Sequence, residues 1–264
     1  MNIERVDKNF LKTAVRTSNK IRYTIPCDGF DLYGIFYDEK RRKFMRMDGD
    51  VAEGINEELF YLATNTSGGR IRFSTNSSVI GISVTYSVFG EMPHMPLTGS
   101  CGFALLEKVG REYKTVSVFR PNHSEKSGYT GEVIVGDKRK REYILYFPLY
   151  NEITSLNIFL DNDSELFKAE RYKDIKPILY YGSSIDQGGC ASRPDSTFPA
   201  TISKWNDIDF VNLGFSGNAK GEPEIADYLS TIDSDMLVMG YDGNAPDVDF
   251  LERTHFNFYK TYRK

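Results

Sequence analysis

The sequence is poor in the residues that many structural and catalytic sites rely on. It has three cysteines, three histidines and one tryptophan in 264 residues. Cys27, Cys101 and Cys190 are far apart, odd in number and never in a C-x-x-C pair. That argues against a disulfide framework and a cysteine zinc site, and makes a reducing cytoplasm the expected compartment. Basic residues never run beyond four in a row and the net charge is −4, so nucleic acid is not an expected partner. No apolar run is long enough to span a bilayer. The opening segment, MNIERVDKNFLKTAV, carries charges where a signal peptide needs an apolar core.

Aromatic residues are plentiful instead, with 17 Tyr and 18 Phe. They favour strand-rich structure and sugar-facing surfaces. The length exceeds one average domain, so two are expected, and the pattern changes near residue 172. Up to there, strand signals dominate: RIRFST (70–75) and VIGISVTY (79–86) alternate, and further strands are expected at 103–107, 114–119, 142–147 and 155–160. Many strands with short connections suggest a β-sandwich of jelly-roll type over residues 1–172. One helix is expected to interrupt them. Asp50 with Glu53 reads as its capping start, and Val51, Ile55, Leu59 and Leu62 share a face.

From 173 to 264 strands and helices alternate. Strands are expected at 178–181, 210–213 and 236–239. Helices are expected at 198–205 and 222–232, with a last one starting near Asp249 that carries Leu251, His255, Phe258 and Tyr262 at helical spacing. Such alternation predicts a parallel sheet with helices on both faces and a ligand site at the carboxyl ends of the strands. Each strand runs into a loop rich in Gly, Ser and Asn: 182–188, 212–218 and 240–246.

Acyl transfer needs a nucleophile and donors for the oxygen that becomes negative. Ser184 supplies the nucleophile. The backbone N–H of Ser184, the backbone N–H of Gly217 and the side-chain amide of Asn244 supply three candidate donors. The first loop lacks the lysine of a Walker A motif, the second glycine of G-x-S-x-G, and the spacing of G-x-G-x-x-G. No cofactor and no metal are therefore expected. Asp186 reads as a loop cap, Asp242 as a turn residue, Cys190 as structural and Trp205 as core. Arg193 leaves two readings open: a ligand for a substrate carboxylate or sugar hydroxyl, or a tie that holds the loop.

The three loops resemble the first three sequence blocks of the SGNH hydrolases, also called GDSL esterases. GSSIDQG (182–188) is similar to the first block, G-D-S-x-x-x-G, with Ser183 in place of the usual Asp and Ser184 at the nucleophile position. GGCASRP (188–194) and MPHMPLTGSCG (92–102) resemble a bacterial subfamily with an N-terminal β-sandwich domain. The resemblance implies that Gly217 and Asn244 are the second- and third-block oxyanion residues, on a flavodoxin-like sheet of order 2-1-3-4-5. A G-x-D-L-Y string at 29–33 is associated with the same sandwich domain. In the family it follows the MP…TG run, a place held here by residues 102–106, so the early string is expected to be coincidental.

The family's fourth block, D-x-x-H, has no match. Three residues before His94, His123 and His255 stand Glu91, Arg120 and Glu252. Glu91 and His94 lie in a proline-bracketed loop, and Glu252 and His255 share a helix face, so none of the three histidines is a good general base. Three strands alone would leave the strand near Met236 as an exposed apolar edge. The expectation is a truncated hydrolase domain whose Asp–His pair lies beyond Lys264, or a homo-oligomer that covers this edge. The expected function is a serine esterase that removes a small acyl group, such as acetyl, from a carbohydrate or other small hydroxylated molecule, impaired in the chain as given. The alternative is a carbohydrate-binding protein without turnover.

Overall fold

The protein is described by a computed structural model over residues 19–264. The charged opening segment lies outside the described residues. Two large antiparallel sheets and a two-stranded hairpin, Phe36–Asp38 with Lys43–Met45, form the first part. One has the order Lys20–Ile25, Glu152–Asp161, Val79–Val88, Gly128–Ile134. The other runs Leu166–Phe167, Arg70–Thr75, Arg141–Tyr146, Phe103–Val109, Glu112–Phe119, with Asp31–Tyr33 also paired to Arg70–Thr75. Their facing side chains make one core. Ile80, Ile82 and Val84 come from one sheet, Ile71, Phe73, Leu105 and Leu145 from the other. The period of two in VIGISVTY sends every second residue there.

The second sheet is buried on its outer face as well. Ala104, Leu106, Ile144 and Tyr146 pack against Tyr180, Ala200 and Phe210 of the second part. Arg70 and Arg72 point the same way and are fully buried. Arg70 pairs with Asp209 and donates from Nε to Tyr172 Oη at 2.7 Å, while Arg72 pairs with Glu142 at 2.7 Å and Asp207 at 3.3 Å. The charged half of RIRFST is an interface between the two parts.

The second part is a three-stranded parallel sheet. Ile178–Gly182 is central, flanked by Phe210–Gly214 and Met236–Gly240. Leu179, Tyr181 and Leu213 face the helices Pro223–Ser230 and Val248–Tyr262. The same core takes in Ala52, Leu59 and Leu62 from the first part. The segment expected as one helix is two, Gly49–Ile55 and Glu57–Thr64. Asp48, not Asp50, caps the first, its Oδ1 accepting from Asp50 N and Val51 N. The break is Asn56, which turns extended so that its Oδ1 accepts from Leu59 N at 2.7 Å. A boundary near residue 172 thus separates the sheets but not the cores. Trp205, expected in the core, is 80% exposed near the end of helix Phe198–Asn206.

The two edges of the parallel sheet differ. Along Phe210–Gly214 the outward carbonyls accept from arginines of the first part: Phe210 O from Arg70 at 3.1 Å, Asn212 O and Gly214 O from Arg46 at 2.9 and 2.8 Å. The row that a fourth strand would bond is capped by side chains. Along Met236–Gly240 no described strand pairs with the outer edge, and Met236 is 54% exposed. No helix among the described residues is long and apolar enough to cross a membrane.

Candidate active site

Each parallel strand ends in glycine, and the three glycines are in register: Gly182 lies opposite Gly214 on one side and Gly240 on the other. This row is a floor. On it rests a one-turn helix, Ser184–Gln187. A methyl on Gly214 would collide with Gln187 N, one on Gly182 with the Asp186 carboxyl, and one on Gly240 would lie 2.7 Å from Asp186 Oδ2. Only glycine lets the turn sit this low.

The turn is held by a capping box: Ser183 Oγ accepts from Ile185 N at 3.3 Å, and Asp186 Oδ2 accepts from Ser183 N at 3.0 Å. Asp186 caps the loop as its position predicts. Ser184 is the first residue of the turn and is partly exposed.

Hydrogen bonds stitch the three loops together. Ser183 N donates to Gly240 O at 3.1 Å and Phe215 N to Gly182 O at 2.8 Å. Ser216 N donates to Gln187 Oε1 at 3.0 Å, and Asn212 Nδ2 to Asp186 O at 2.7 Å. The structure therefore brings the loops of Ser184, Gly217 and Asn244 to one end of the sheet. Neither Ser184 N nor Gly217 N has an acceptor among the described residues. Gly217 has a φ of +72°, and no atom lies within 4 Å of where its Cβ would be. Asn244 is placed differently from the expectation. Its amide donates to Phe215 O at 3.1 Å and Ala219 O at 3.0 Å. Both hydrogens bind the second loop, so the side chain clamps the turn that carries Gly217.

Arg193 is bonded within its own loop. Its fork grips Asp195, with Nε to Oδ1 at 2.9 Å and Nη2 to Oδ2 at 3.2 Å, and Lys204 reaches the same buried carboxylate. Cys190 is exposed, a free thiol on a left-handed backbone of φ +65°. None of the three histidines hydrogen-bonds to Ser184. His123 Nδ1 lies 2.5 Å from Glu91 and is largely exposed, His94 is exposed, and His255 stacks on Tyr241 at 5.7 Å. Glu91 pairs with His123, not with the sequence neighbour His94.

The sequence reading passed over Asn212, Gln187 and Tyr150. Asn212 and Gln187 are fully buried, Tyr150 almost so. Asn212 carried a signal: a polar residue inside the apolar strand FVNLG needs buried partners. Gln187 and Tyr150 carried none. Beside them the first part reaches the site. Thr98 Oγ1 donates to Ser192 O at 2.7 Å, and Met95, Leu149 and Tyr150 pack with Ala191.

Burial pushes the Asp186 carboxyl up to about 6, and the charge of Asp242 adds to the rise. Unfolded, the group titrates near 3.8. Between these values the folded state keeps a proton that the unfolded state has lost. Stability should fall as pH rises from about 4 to about 6 and level off above. Asp186→Asn keeps an acceptor for Ser183 N and removes the charge. Thermal melts across this range should lose that slope, and an unchanged slope would refute the assignment.

Among the described residues no group of three His, Cys, Asp or Glu is placed to hold a metal.

A family model described as GxDLY, the N-terminus of SGNH-hydrolase-type esterases, matches residues 22–166. A second, described as the GDSL-like lipase/acylhydrolase family, matches residues 175–264. Among solved structures, a protein described as a GDSL-like lipase from Bacteroides ovatus is 29% identical with a TM-score of 0.82, over 93% of this chain and 71% of that one. A salicylyl-acyltransferase from a tetracycline biosynthetic pathway is 16% identical with a TM-score of 0.71, over 94% of this chain and 70% of that one. A family two carbohydrate esterase from Cellvibrio japonicus is 10% identical with a TM-score of 0.57, over 92% and 74%. The latter two are likenesses of fold. No curated protein matches the sequence.

Proposed function

Because the chain belongs to the SGNH-type esterases with a GxDLY N-terminal domain and is a carboxylic ester hydrolase, we propose that Ser184 is its nucleophile and that it removes a small acyl group, acetyl in the simplest case, from a carbohydrate or similar hydroxylated molecule. The finer fold that goes with this reading is a jelly-roll sandwich before a flavodoxin-like sheet. The observed strand order, with the first strand between the second and third, supports that reading.

In this reading Ser184 Oγ adds to the acyl carbon and gives up its proton. The carbonyl oxygen becomes negative and is held by the N–H groups of Ser184 and Gly217. Collapse breaks the ester bond, the alcohol leaves with a proton, and water then frees the carboxylic acid and restores Ser184. Asn244 acts by fixing the Gly217 turn. Losing such a donor typically lowers the rate about a hundred- to a thousandfold. The proton from Ser184 needs an acceptor, and none of the three histidines hydrogen-bonds to it.

One observation carries the assignment: two N–H groups without acceptors flank Ser184 at the end of the glycine row. The substrate class is supported by the carbohydrate esterases that share the fold. A fluorophosphonate probe followed by peptide mass mapping tests the nucleophile. The adduct is expected on Ser184 and absent after Ser184→Ala. An adduct elsewhere, none on Ser184, or one that survives the substitution would overturn it.

A further inference from the structure

Arg46 is a buried cation without a carboxylate. It is 2% exposed. Its Nη1 donates to Asn212 O and Gly214 O at 2.9 and 2.8 Å, its Nη2 to Leu62 O at 2.6 Å, and its guanidinium lies 4.9 Å from the centre of the Phe215 ring. Its Nε has no partner. The other buried arginines differ. Arg70 pairs with Asp209, Arg72 with Glu142 and Asp207, and Arg141 with Asp137 and Glu107. Among the described residues Arg46 has no such partner. Burial lowers its pKa to about 9, so it stays charged at neutral pH.

A cation buried on carbonyls alone is costly, and capping a strand edge does not require one. The neighbouring donor, Gly214 N, is satisfied by the neutral Asn212 Oδ1 at 2.9 Å. The charge has a place to act. Gly214 C=O accepts from Arg46, and the next amide, Phe215 N, donates to Gly182 C=O at 2.8 Å. The amide that follows Gly182, Ser183 N, donates to Gly240 O and to Asp186. These peptide dipoles run in series from the guanidinium to the residue before Ser184, and such chains polarise one another.

We propose that Arg46 is a positioning residue for the oxyanion site: it fixes the turn from Gly214 to Gly217 against the Ser184 helix and holds a positive charge behind it that favours the negative oxygen of the tetrahedral intermediate. The proposal rests on Ser184 being the nucleophile and adds a residue from the sandwich part to the working of that site.

Chemical rescue separates charge from shape. Arg46→Ala should lower the rate of fluorophosphonate labelling at Ser184 about ten- to a hundredfold. Millimolar guanidinium should restore much of it. Urea, planar and similar in its donors but neutral, should not. Equal rescue by urea, or an unchanged rate despite a lower melting temperature, would overturn the proposal. Should Arg46→Ala fail to fold, Arg46→Lys keeps the charge and Arg46→Met the bulk, and equal losses from both would also overturn it. A second readout needs no reaction. The Tyr150 phenol is raised by burial and lowered by Ser216 and Arg46. Fluorotyrosine at position 150, titrated by fluorine NMR, should move further up in Arg46→Met. If wild-type Ser184 takes no label, the nucleophile assignment has failed, and this titration decides whether the loop feels the Arg46 charge. An unmoved titration rejects it.

Discussion

Gly214→Ala is expected to unseat Ser184. The added methyl would meet the backbone of Asp186 and Gln187, with the Asp186 carbonyl carbon at 2.7 Å and Gln187 N closer still. No rotamer relieves a clash with backbone, so the one-turn helix must lift. Overpacking of this kind costs about 1–3 kcal/mol. Function should suffer more than stability. Lifting the turn loosens the 3.0 Å bond from Ser216 N to Gln187 Oε1 and parts the Ser184 N–H from that of Gly217. A misplacement near 1 Å can lower a rate about a hundredfold. Labelling of Ser184 should fall by about that factor while the melt stays cooperative. Gly217→Ala is the contrast. Nothing crowds its Cβ, so in the free protein it meets only the strain of φ +72°, of order 1–2 kcal/mol. Equal effects of Gly214→Ala on labelling and on stability would argue against the glycine row as the seat of the nucleophile.

Asp209→Ala should be among the most destabilising single changes away from the site. It leaves the Arg70 cation, whose side chain is fully buried, without its carboxylate. Tyr172 Oη, Gly68 O and Phe210 O remain as acceptors at 2.7, 2.8 and 3.1 Å. Breaking a buried pair from one side costs about 3–5 kcal/mol, and the remaining acceptors favour the lower end. For a chain of this size about 3 kcal/mol lowers the melting temperature by roughly 6–12 °C. Removing both partners, as Arg70→Met with Asp209→Ala, should be milder, because no unpaired charge stays inside. Calorimetry of the two single variants and the double variant checks this. A double variant worse than Asp209→Ala would show that packing around Arg70, not its charge, governs the interface.

The loops were legible because their chemistry is local. An apolar strand that stops at glycine and continues in serine or asparagine has few readings, and three in order point to one end of a sheet. Ser184, Gly217 and Asn244 became site candidates that way, and the loops that carry them meet at one end of the sheet. The bonds of Asn244 to Phe215 O and Ala219 O were not legible, since they depend on how two loops meet. Arg193 had its partner two residues away, and the Arg-x-Asp spacing was the available clue to its tie. Asn56 hid inside a helical pattern because a cap in mid-segment keeps the apolar period intact. Arg46 left no sequence signal at all: among charged residues near position 46, only the fold shows which one is buried. The packing of helices Gly49–Ile55 and Glu57–Thr64 on the second core is equally non-local.

The arginine-capped edge bears on how such a chain is inherited. Cutting the parallel-sheet part away near residue 172 would strip the donors from Phe210 O, Asn212 O and Gly214 O, and with them the helices Gly49–Ile55 and Glu57–Thr64 that share its core. Each half would lose hydrogen bonds or core contacts that the other supplies. An ancestor that swapped its sandwich for a different one would have had to supply new donors at the same three carbonyls, so the pair is expected to have descended together.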